Sequence, residues 1–504
     1  MKLKKIKKFL PFLVLGLLDF SLRIIFLGHQ SLWMDEAFSV WMASNSISRF
    51  MQLIPYDAHP FLFYIFLHLW MKGGTSEAYL RFPSVICGVI SCLSIYLLGE
   101  EILDKRAGFF TALLWACSME ALIPETEIRM YAYATCFSLI STYCFWKSFK
   151  HGGVKNWILY YLFASVSLFT HYYTGFIIMA QWIFLLIQKK WKEAVWIPLI
   201  LTLIFSPWTP VFFFQFFHAI DTHMPRAPWA WVFIFFGMFL NARRYFLGSS
   251  FLFKAASFFS IGIFLWGGIS LYKKKKKLEA VFLELLFAVP YLIPFSISHF
   301  SPRHIFVFRY VVLCAPYFFL LFVYGVFNIP KSAAYLIFGA VLVLNLSIWF
   351  LFQTGPAWQM QNWRKASHII KNRTRNVGVL FVEQAMSLYP LSYYLSRYFT
   401  IVWHGTKNRN FIIEKKSGRI IPVYGVFRNA LPEIRSYCQR TNKRQWLILC
   451  QPYLVDPNLA IPKWLLTHER VIFFQKLRSI SNVNEIYLYL LSPRENREVK
   501  PQNH

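Results

Sequence analysis

Long apolar runs broken by short polar stretches, with no alternation of apolar and polar positions, fill this chain up to about residue 354. Runs rich in Phe, Leu and Ile include those at about 9–28, 60–71, 82–99, 108–124, 128–147, 194–213, 229–247, 252–272, 279–298, 306–327 and 331–352, and the stretch between Lys155 and Gln188 is apolar enough for two further crossings. A helix needs about 20 such residues to cross hydrocarbon, where the backbone must satisfy its own hydrogen bonds. The missing period-two alternation favours helices over a barrel. The run at 60–71 is too short to span comfortably and predicts an interfacial or re-entrant helix.

Charge sets the direction of the crossings. Lys and Arg concentrate in MKLKKIKK at the start, KSFKHGGVK (Lys147 to Lys155), QKKWK (Gln188 to Lys192) and YKKKKK (Tyr272 to Lys277), all of which the positive-inside rule places in the cytoplasm. Parity between these anchors holds if 60–71 and 229–247 stay on the outer side without crossing. The second of these is flanked by a Pro-rich stretch and by Arg243 and Arg244. The expectation is about 11 spanning helices, or 13 if both runs cross, with the N-terminus cytoplasmic and the C-terminus outside. The first run is longer than a signal-peptide core and no small-residue cleavage site follows it, so it reads as a retained helix. The net charge of +30 is then a matter of cytoplasmic loops and anionic membrane lipids, and no nucleic-acid partner is expected.

From Gly355 the pattern changes. Short runs such as VGVLFVE (Val377 to Glu383), QWLILC (Gln445 to Cys450) and NEIYLYLL (Asn484 to Leu491) alternate with amphipathic stretches such as WRKASHIIKNR. None can span, and together they predict a small extracytoplasmic α/β domain. The expected architecture is an all-α polytopic membrane protein over 1–354, with an outward first loop at 29–81, followed by a soluble α/β domain over 355–504. Six cysteines (Cys87, Cys92, Cys117, Cys136, Cys144 and Cys314) fall in apolar segments without metal-ligand spacing and read as small hydrophobes. Cys438 and Cys450 fall in the soluble part, where an oxidising compartment would allow them a disulfide.

Candidate chemistry gathers on the outward side at LWMDEAFS, DAHPFLFY (Asp57 to Tyr64), PETEIRMYAY (Pro124 to Tyr133) and FTHYYTG (Phe169 to Gly175). Ionisable groups at membrane depth are costly and mark functional sites when partners are present. Asp19 and Arg23, four apart on the first helix, pair with one another. Taken singly, the others also fit structural roles. Asp35 or Glu36 suits a helix start, and His59 before Pro60 suits the first turn of a helix. Glu127, Arg129 and Tyr131 suit an ion pair at a helix end, and His171 suits a packed imidazole. Acid, histidine and arginine together on one face favour a site.

LWMDEAFS, HPFLFY, LRFP (Leu80 to Pro83), EIRMYA and THYYTG, in this order and at these distances, resemble the integral-membrane glycosyltransferases of the GT-C fold. The branch they are most similar to is the GT39/ArnT-like one, related to protein O-mannosyltransferases. The resemblance covers the first 180 residues, with weaker echoes at Arg309-Tyr310 and NWRKASHII. It implies a sugar carried on a polyprenyl phosphate and moved to an acceptor outside the membrane, with Asp35 as the base and Glu36 supporting it. Phe61 stands where the family usually has a second proline. No D-x-D pair is present, so nothing points to a nucleotide-sugar enzyme with a metal-bound diphosphate.

Displacing a lipid phosphate from an anomeric carbon needs a carboxylate for the acceptor's proton and fixed positive charge for the departing phosphate. Arg129 is the first candidate for that charge, because arginine stays ionised when partly desolvated. Arg303, His304 and Arg309 in SPRHIFVFRY are the second, and His59 and His171 would hydrogen-bond sugar or phosphate. The residues demand no cofactor, and assistance by a divalent metal is left open. The expected acceptor is a lipid, a glycan or a protein, and the setting implied by the resemblance is a bacterial inner membrane. A transporter or lipid flippase would also need many helices and buried charges, but would show paired halves and a mid-membrane site. A receptor or scaffold would leave the series from Asp35 to His171 without a purpose.

Overall fold

The computed structural model describes residues 2–218, 227–229, 231, 236, 250–301, 303–307, 309–354, 360–373, 377–383, 385–395, 399–404, 409–414, 420–426, 438, 443–450, 458–479 and 485–493. The chain forms two compact units, Met1–Leu27 with Met42–Leu351, and Gly28–Trp41 with Phe352–His504.

The first unit is helical. Among the described residues, five helices have the length and hydropathy of a membrane span: Glu77–Ile102, Trp191–His218, Phe253–Lys273, Lys277–Phe300 and Lys331–Thr354. The pair Lys105–Cys117 and Met119–Thr126, bent by 62°, makes a sixth if it counts as one span. The chain is a multi-pass membrane protein, with fewer helices meeting this measure than the sequence predicts. One reason is that Tyr131–His151 turns hydroxyls inward and is less apolar than a lipid-facing helix. Ser138, Ser141, Thr142 and Ser148 are buried on it, and Thr142 meets the Tyr317 hydroxyl at 2.8 Å and accepts from Gln181 at 3.1 Å. Another is that the run at 306–327 becomes helical only from Val311. Ahead of it, the Ser298 hydroxyl takes the N–H groups of Ile305 and Phe306 at 2.9 and 2.8 Å, which draws that backbone out of a helical ladder. The run at 60–71 yields the nine-residue helix Leu62–Trp70. Most of the run at 229–247, with Arg243 and Arg244, lies outside the described residues.

All twelve residues of Ala315–Val326 are buried, as expected of a helix apolar on every side. It packs against Ser250–Lys273, Lys105–Cys117 and Lys277–Phe300. Helices Glu77–Ile102 and Lys105–Cys117 meet backbone to backbone, since a Cβ on Gly99 would stand 2.6 Å from the Cα of Gly108.

A buried ion cluster joins the first helix, Lys2–Ile24, to the segment Pro124–Thr126. Arg23 pairs with Asp19 at 2.6 Å, as their spacing predicts. It also pairs with Glu125, to which its Nε donates at 2.7 Å, and the Trp115 indole donates to the same carboxylate at 3.2 Å. Gly88 leaves room for this cluster, because a Cβ there would fall 2.7 Å from Arg23 Nε and 2.8 Å from Glu125 Oε2.

The second unit is built on a seven-stranded sheet of β1 (Val377–Glu383), β2 (Phe399–His404), β3 (Arg409–Glu414), β4 (Ile420–Val426), β5 (Arg444–Cys450), β6 (Glu469–Leu477) and β7 (Ile486–Pro493), in the order β2-β3-β4-β1-β5-β7-β6. β1 runs parallel to β4 and β5, and the other pairs are antiparallel. The three runs legible in the sequence are β1, β5 and β7, neighbours in the sheet. WRKASHIIKNR is the helix Trp363–Arg373. Cys438 and Cys450 are separate buried thiols and not a disulfide. Cys438 packs with Leu447, Leu449, Leu465 and Leu491, and burial pushes the Cys450 thiol up to about 12.

This unit also takes in Gly28–Trp41, which the sequence assigns to the membrane domain as part of its first loop. The reason is a set of hydrogen bonds between segments more than 320 residues apart. Arg364 donates to the carbonyls of Gly28, His29 and Gln30 at 3.0, 3.2 and 3.3 Å. Leu32 N–H donates to the Tyr394 hydroxyl at 2.7 Å, and Met34 N–H donates to Gln361 Oε1 at 3.0 Å.

Candidate active site

Four loops and helix starts of the first unit converge on a group of rings. His59 precedes helix Leu62–Trp70, Tyr131 opens helix Tyr131–His151, His171 follows helix Val154–Thr170, and Tyr310 precedes the turn Val311–Cys314. The two imidazole centroids are 5.0 Å apart. Tyr310 lies 4.6 Å from His171 and 5.7 Å from His59, and Tyr131 lies 5.7 Å from His171. The Arg129 guanidinium stands 5.7 Å from the centre of the Tyr131 ring, a cation–π placement.

Two polar atoms in this group are left without protein partners among the described residues. The Tyr173 N–H donates to His171 Nδ1 at 3.1 Å, so the neutral ring carries its proton on Nε2. That Nε2 and the Tyr131 hydroxyl are buried and have no hydrogen-bond partner among the described residues. Such groups cost free energy unless a ligand or water meets them. Burial first, and Arg129 next, push His171 down to about 3. Burial, then His171, Arg129 and Arg309, hold His59 well below its ordinary value.

The loop bearing His59 is fixed from behind. Gln215, 1 % exposed on helix Thr209–His218, donates to the carbonyls of Ile54 and His59 at 2.8 and 3.1 Å. Its own carbonyl accepts from the Tyr172 hydroxyl, which in turn accepts from the Trp208 indole at 2.7 Å. One glutamine thus ties together the backbone at His59 and the neighbour of His171.

Of the residues singled out in the sequence, His59, Arg129, Tyr131 and His171 come together here. Arg309 is exposed and acts on His59 through its charge. Glu127 is half-buried, and its carbonyl accepts from the Ser84 hydroxyl at 2.7 Å. Arg303 is engaged elsewhere: it donates to the Phe216 carbonyl and lies 4.9 and 5.1 Å from the ring centres of Phe216 and Phe217. His304 is half-buried. Tyr310 and Asp57 are additions. Asp57 accepts from the Tyr64 hydroxyl at 2.6 Å and from Ala58 N–H at 2.8 Å, and it acts through its charge on Tyr310. Both sit inside stretches already quoted, Asp57 two residues before His59 and Tyr310 beside Arg309.

Asp35 and Glu36 belong to the second unit, in the first turn of helix Met34–Ser44. Glu36 is fully buried and accepts the Trp33 N–H at 3.3 Å, the return half of a capping box. Asp35 is half-buried at the positive end of the helix dipole, a favourable place for an anion. Among the described residues, no three His, Cys, Asp or Glu side chains gather as a metal site.

Two neutral buried imidazoles make the protein acid-sensitive. Below the ordinary histidine value of 6.5, the unfolded chain takes up protons that folded His59 and His171 do not. Their contribution is present in full above that value and is lost as pH falls toward the folded one. The unfolding temperature in detergent is expected to drop between about pH 7 and pH 5, and His171→Gln to flatten the drop. An unchanged slope in the variant would show that His171 does not carry it.

Comparison with solved structures places the fold. ArnT from Cupriavidus metallidurans in the apo state superposes with a TM-score of 0.58 at 11% identity, over 95% of this chain and 97% of that one. The same protein bound to undecaprenyl phosphate gives 0.56 at 11%, over 96% and 98%. An oligosaccharyltransferase from Archaeoglobus fulgidus, tethered to an acceptor peptide containing the NVT sequon, gives 0.51 at 12%, over 77% and 63%. The fold is that of the GT-C integral-membrane glycosyltransferases, ArnT-like in its architecture. Residues 58–214, which carry His59, Arg129, Tyr131 and His171, match the dolichyl-phosphate-mannose-protein mannosyltransferase family. No curated protein matches the chain at the level of sequence.

Proposed function

We propose that this protein transfers a single sugar from a polyprenyl phosphate to an acceptor on the extracytoplasmic side of the membrane. The observation that carries the reading is the ring group beside Arg129. It holds a fixed cation with a buried imidazole N–H and a phenol hydroxyl that have no hydrogen-bond partner among the described residues, inside the segment matched by the mannosyltransferase family. Such a set suits the phosphate of the donor, whose prenyl tail stays in hydrocarbon. The ArnT structure holding undecaprenyl phosphate supports a donor of this class.

In this reading Arg129, His59, His171 and Tyr131 bind the donor phosphate, with Arg309 adding charge and Glu127 orienting the helix end. Arg303, tied to Phe216, supports the loop and does not touch the donor. Asp35 takes the proton of the acceptor as its oxygen or nitrogen bonds to the anomeric carbon. The bond from that carbon to the phosphate oxygen breaks, its electron pair leaves with the polyprenyl phosphate, and the configuration inverts. The α/β domain faces the same side as the acceptor, and the N-terminus is cytoplasmic.

The test is transfer of labelled sugar from a panel of polyprenyl-phosphate sugars, in membranes that supply native acceptors. Transfer from one donor, lost in Arg129→Gln with protein levels unchanged, is the expected result. No transfer from any donor would overturn the reading.

A further inference from the structure

Helix Met34–Ser44 takes part of its N-terminal capping from a distant segment. Its N-cap position is Trp33, which has no side-chain acceptor for the first helical N–H groups. The structure supplies acceptors from the far end of the chain. Gln361, 2 % exposed, accepts the Met34 N–H through Oε1 at 3.0 Å, and the same oxygen accepts from the Trp363 indole at 2.8 Å. The Gln361 backbone carbonyl accepts from the Ser31 hydroxyl, and its amide nitrogen donates to Cys450 Sγ on β5 at 3.6 Å. Arg364 clasps the three carbonyls ahead of this point, and Tyr389 packs 5.1 and 5.0 Å from the ring centres of Phe38 and Trp41 one helical turn beyond. Residues 361–394 thus hold the backbone on both sides of Asp35.

We propose that Gln361 and Arg364 are positioning residues for Asp35, so that the C-terminal α/β domain takes part in the transfer step itself. This rests on the reading of Asp35 as the base. Asp35 follows Met34 directly, and the hydrogen bond from Met34 N–H to Gln361 sets where the first turn begins. A base displaced by about 1 Å loses on the order of 10²-fold in rate, because proton transfer requires hydrogen-bond distance to the attacking group. The residues proposed to bind the donor phosphate are other than these, so the loss falls on turnover and not on donor affinity.

The experiment uses the full-length protein in liposomes with the donor found active in the panel. It compares Gln361→Ala, Gln361→Glu and Arg364→Ala, each alone and in the Asp35→Asn background. Gln361→Ala is expected to lower kcat by about 10- to 100-fold with the donor KM within about threefold. Gln361→Glu keeps the acceptor oxygen for Met34 and is expected to recover most of the rate. Neither alanine variant should lower the residual rate of Asp35→Asn further, since groups acting through one another are non-additive. A wild-type kcat in both alanine variants, or the same fold-loss with and without Asp35, overturns the proposal while the transferase reading stands. If Gln361→Ala does not fold, Arg364→Ala carries the same comparison. Absence of transfer by the unaltered protein from every donor overturns the transferase reading, and this proposal with it.

Discussion

Asp35→Asn is expected to lower sugar transfer by about 10²- to 10⁴-fold, the range general-base catalysis supplies, with protein level and unfolding temperature close to those of the unaltered chain. The substitution keeps nearly the same shape and removes only the proton acceptor. Its neighbour supplies the control. Glu36 is fully buried and bonds to the Trp33 N–H, so Glu36→Gln is expected to weaken the helix start by about 0.5–2 kcal/mol and leave the chemistry largely in place. Labelled transfer measured over a pH series separates the two. A base leaves a rising limb in the kcat profile that Asp35→Asn abolishes, and a cap does not. If the Asn variant turns over at the unaltered rate, Asp35 is a helix-start acid and another carboxylate takes the proton.

The largest effect on stability is expected at Arg23. It lies buried between Asp19 and Glu125, at 2.6 Å from the first and in direct contact with the second. Arg23→Met would leave two carboxylates facing one another without their cation, and removal of one partner from a buried ion pair costs about 3–5 kcal/mol. Unfolding in detergent should register this as a marked drop in the transition. Restoring neutrality in the triple variant Asp19→Asn, Arg23→Met, Glu125→Gln should recover much of it, because the penalty comes from unpaired charge more than from lost attraction. The consequence reaches function through position, since Glu125 stands four residues before Arg129. A protein with Arg23→Met that unfolds like the unaltered chain would show that the cluster is not a structural pin.

Much of this was legible from one dimension. Apolar runs of spanning length and clustered Lys and Arg state that the chain lives in a membrane, because hydrocarbon admits only backbones that bond to themselves. The change of pattern after Gly355 marks a domain of strands, and three of the short runs are neighbouring strands β1, β5 and β7. His59, Arg129, Tyr131 and His171 stood out because ionisable groups near a membrane need a reason. The sequence could also pair Asp19 with Arg23, since a spacing of four puts both on one helix face.

What lies between distant segments needed the fold. No local rule connects Glu125 with Arg23, 102 residues away, or Gln215 with the carbonyl of His59, 156 residues away. Polar side chains and backbone groups that leave water accept whatever partner the packing brings, and the choice follows from the helices' arrangement. The thiols of Cys438 and Cys450 stay apart for the same reason: Cys438 packs among leucines, and Cys450 accepts from the Gln361 amide. The acid stretch around Asp35 shows the division most plainly. Its composition marks it as a candidate site, since adjacent carboxylates among Trp33, Phe38 and Trp41 are not a solvated loop. That its backbone is capped and clasped by Gln361, Arg364 and Tyr394 was settled only by tertiary structure, because the first-turn N–H groups of a helix take whatever acceptors the fold brings to them, near or far in sequence.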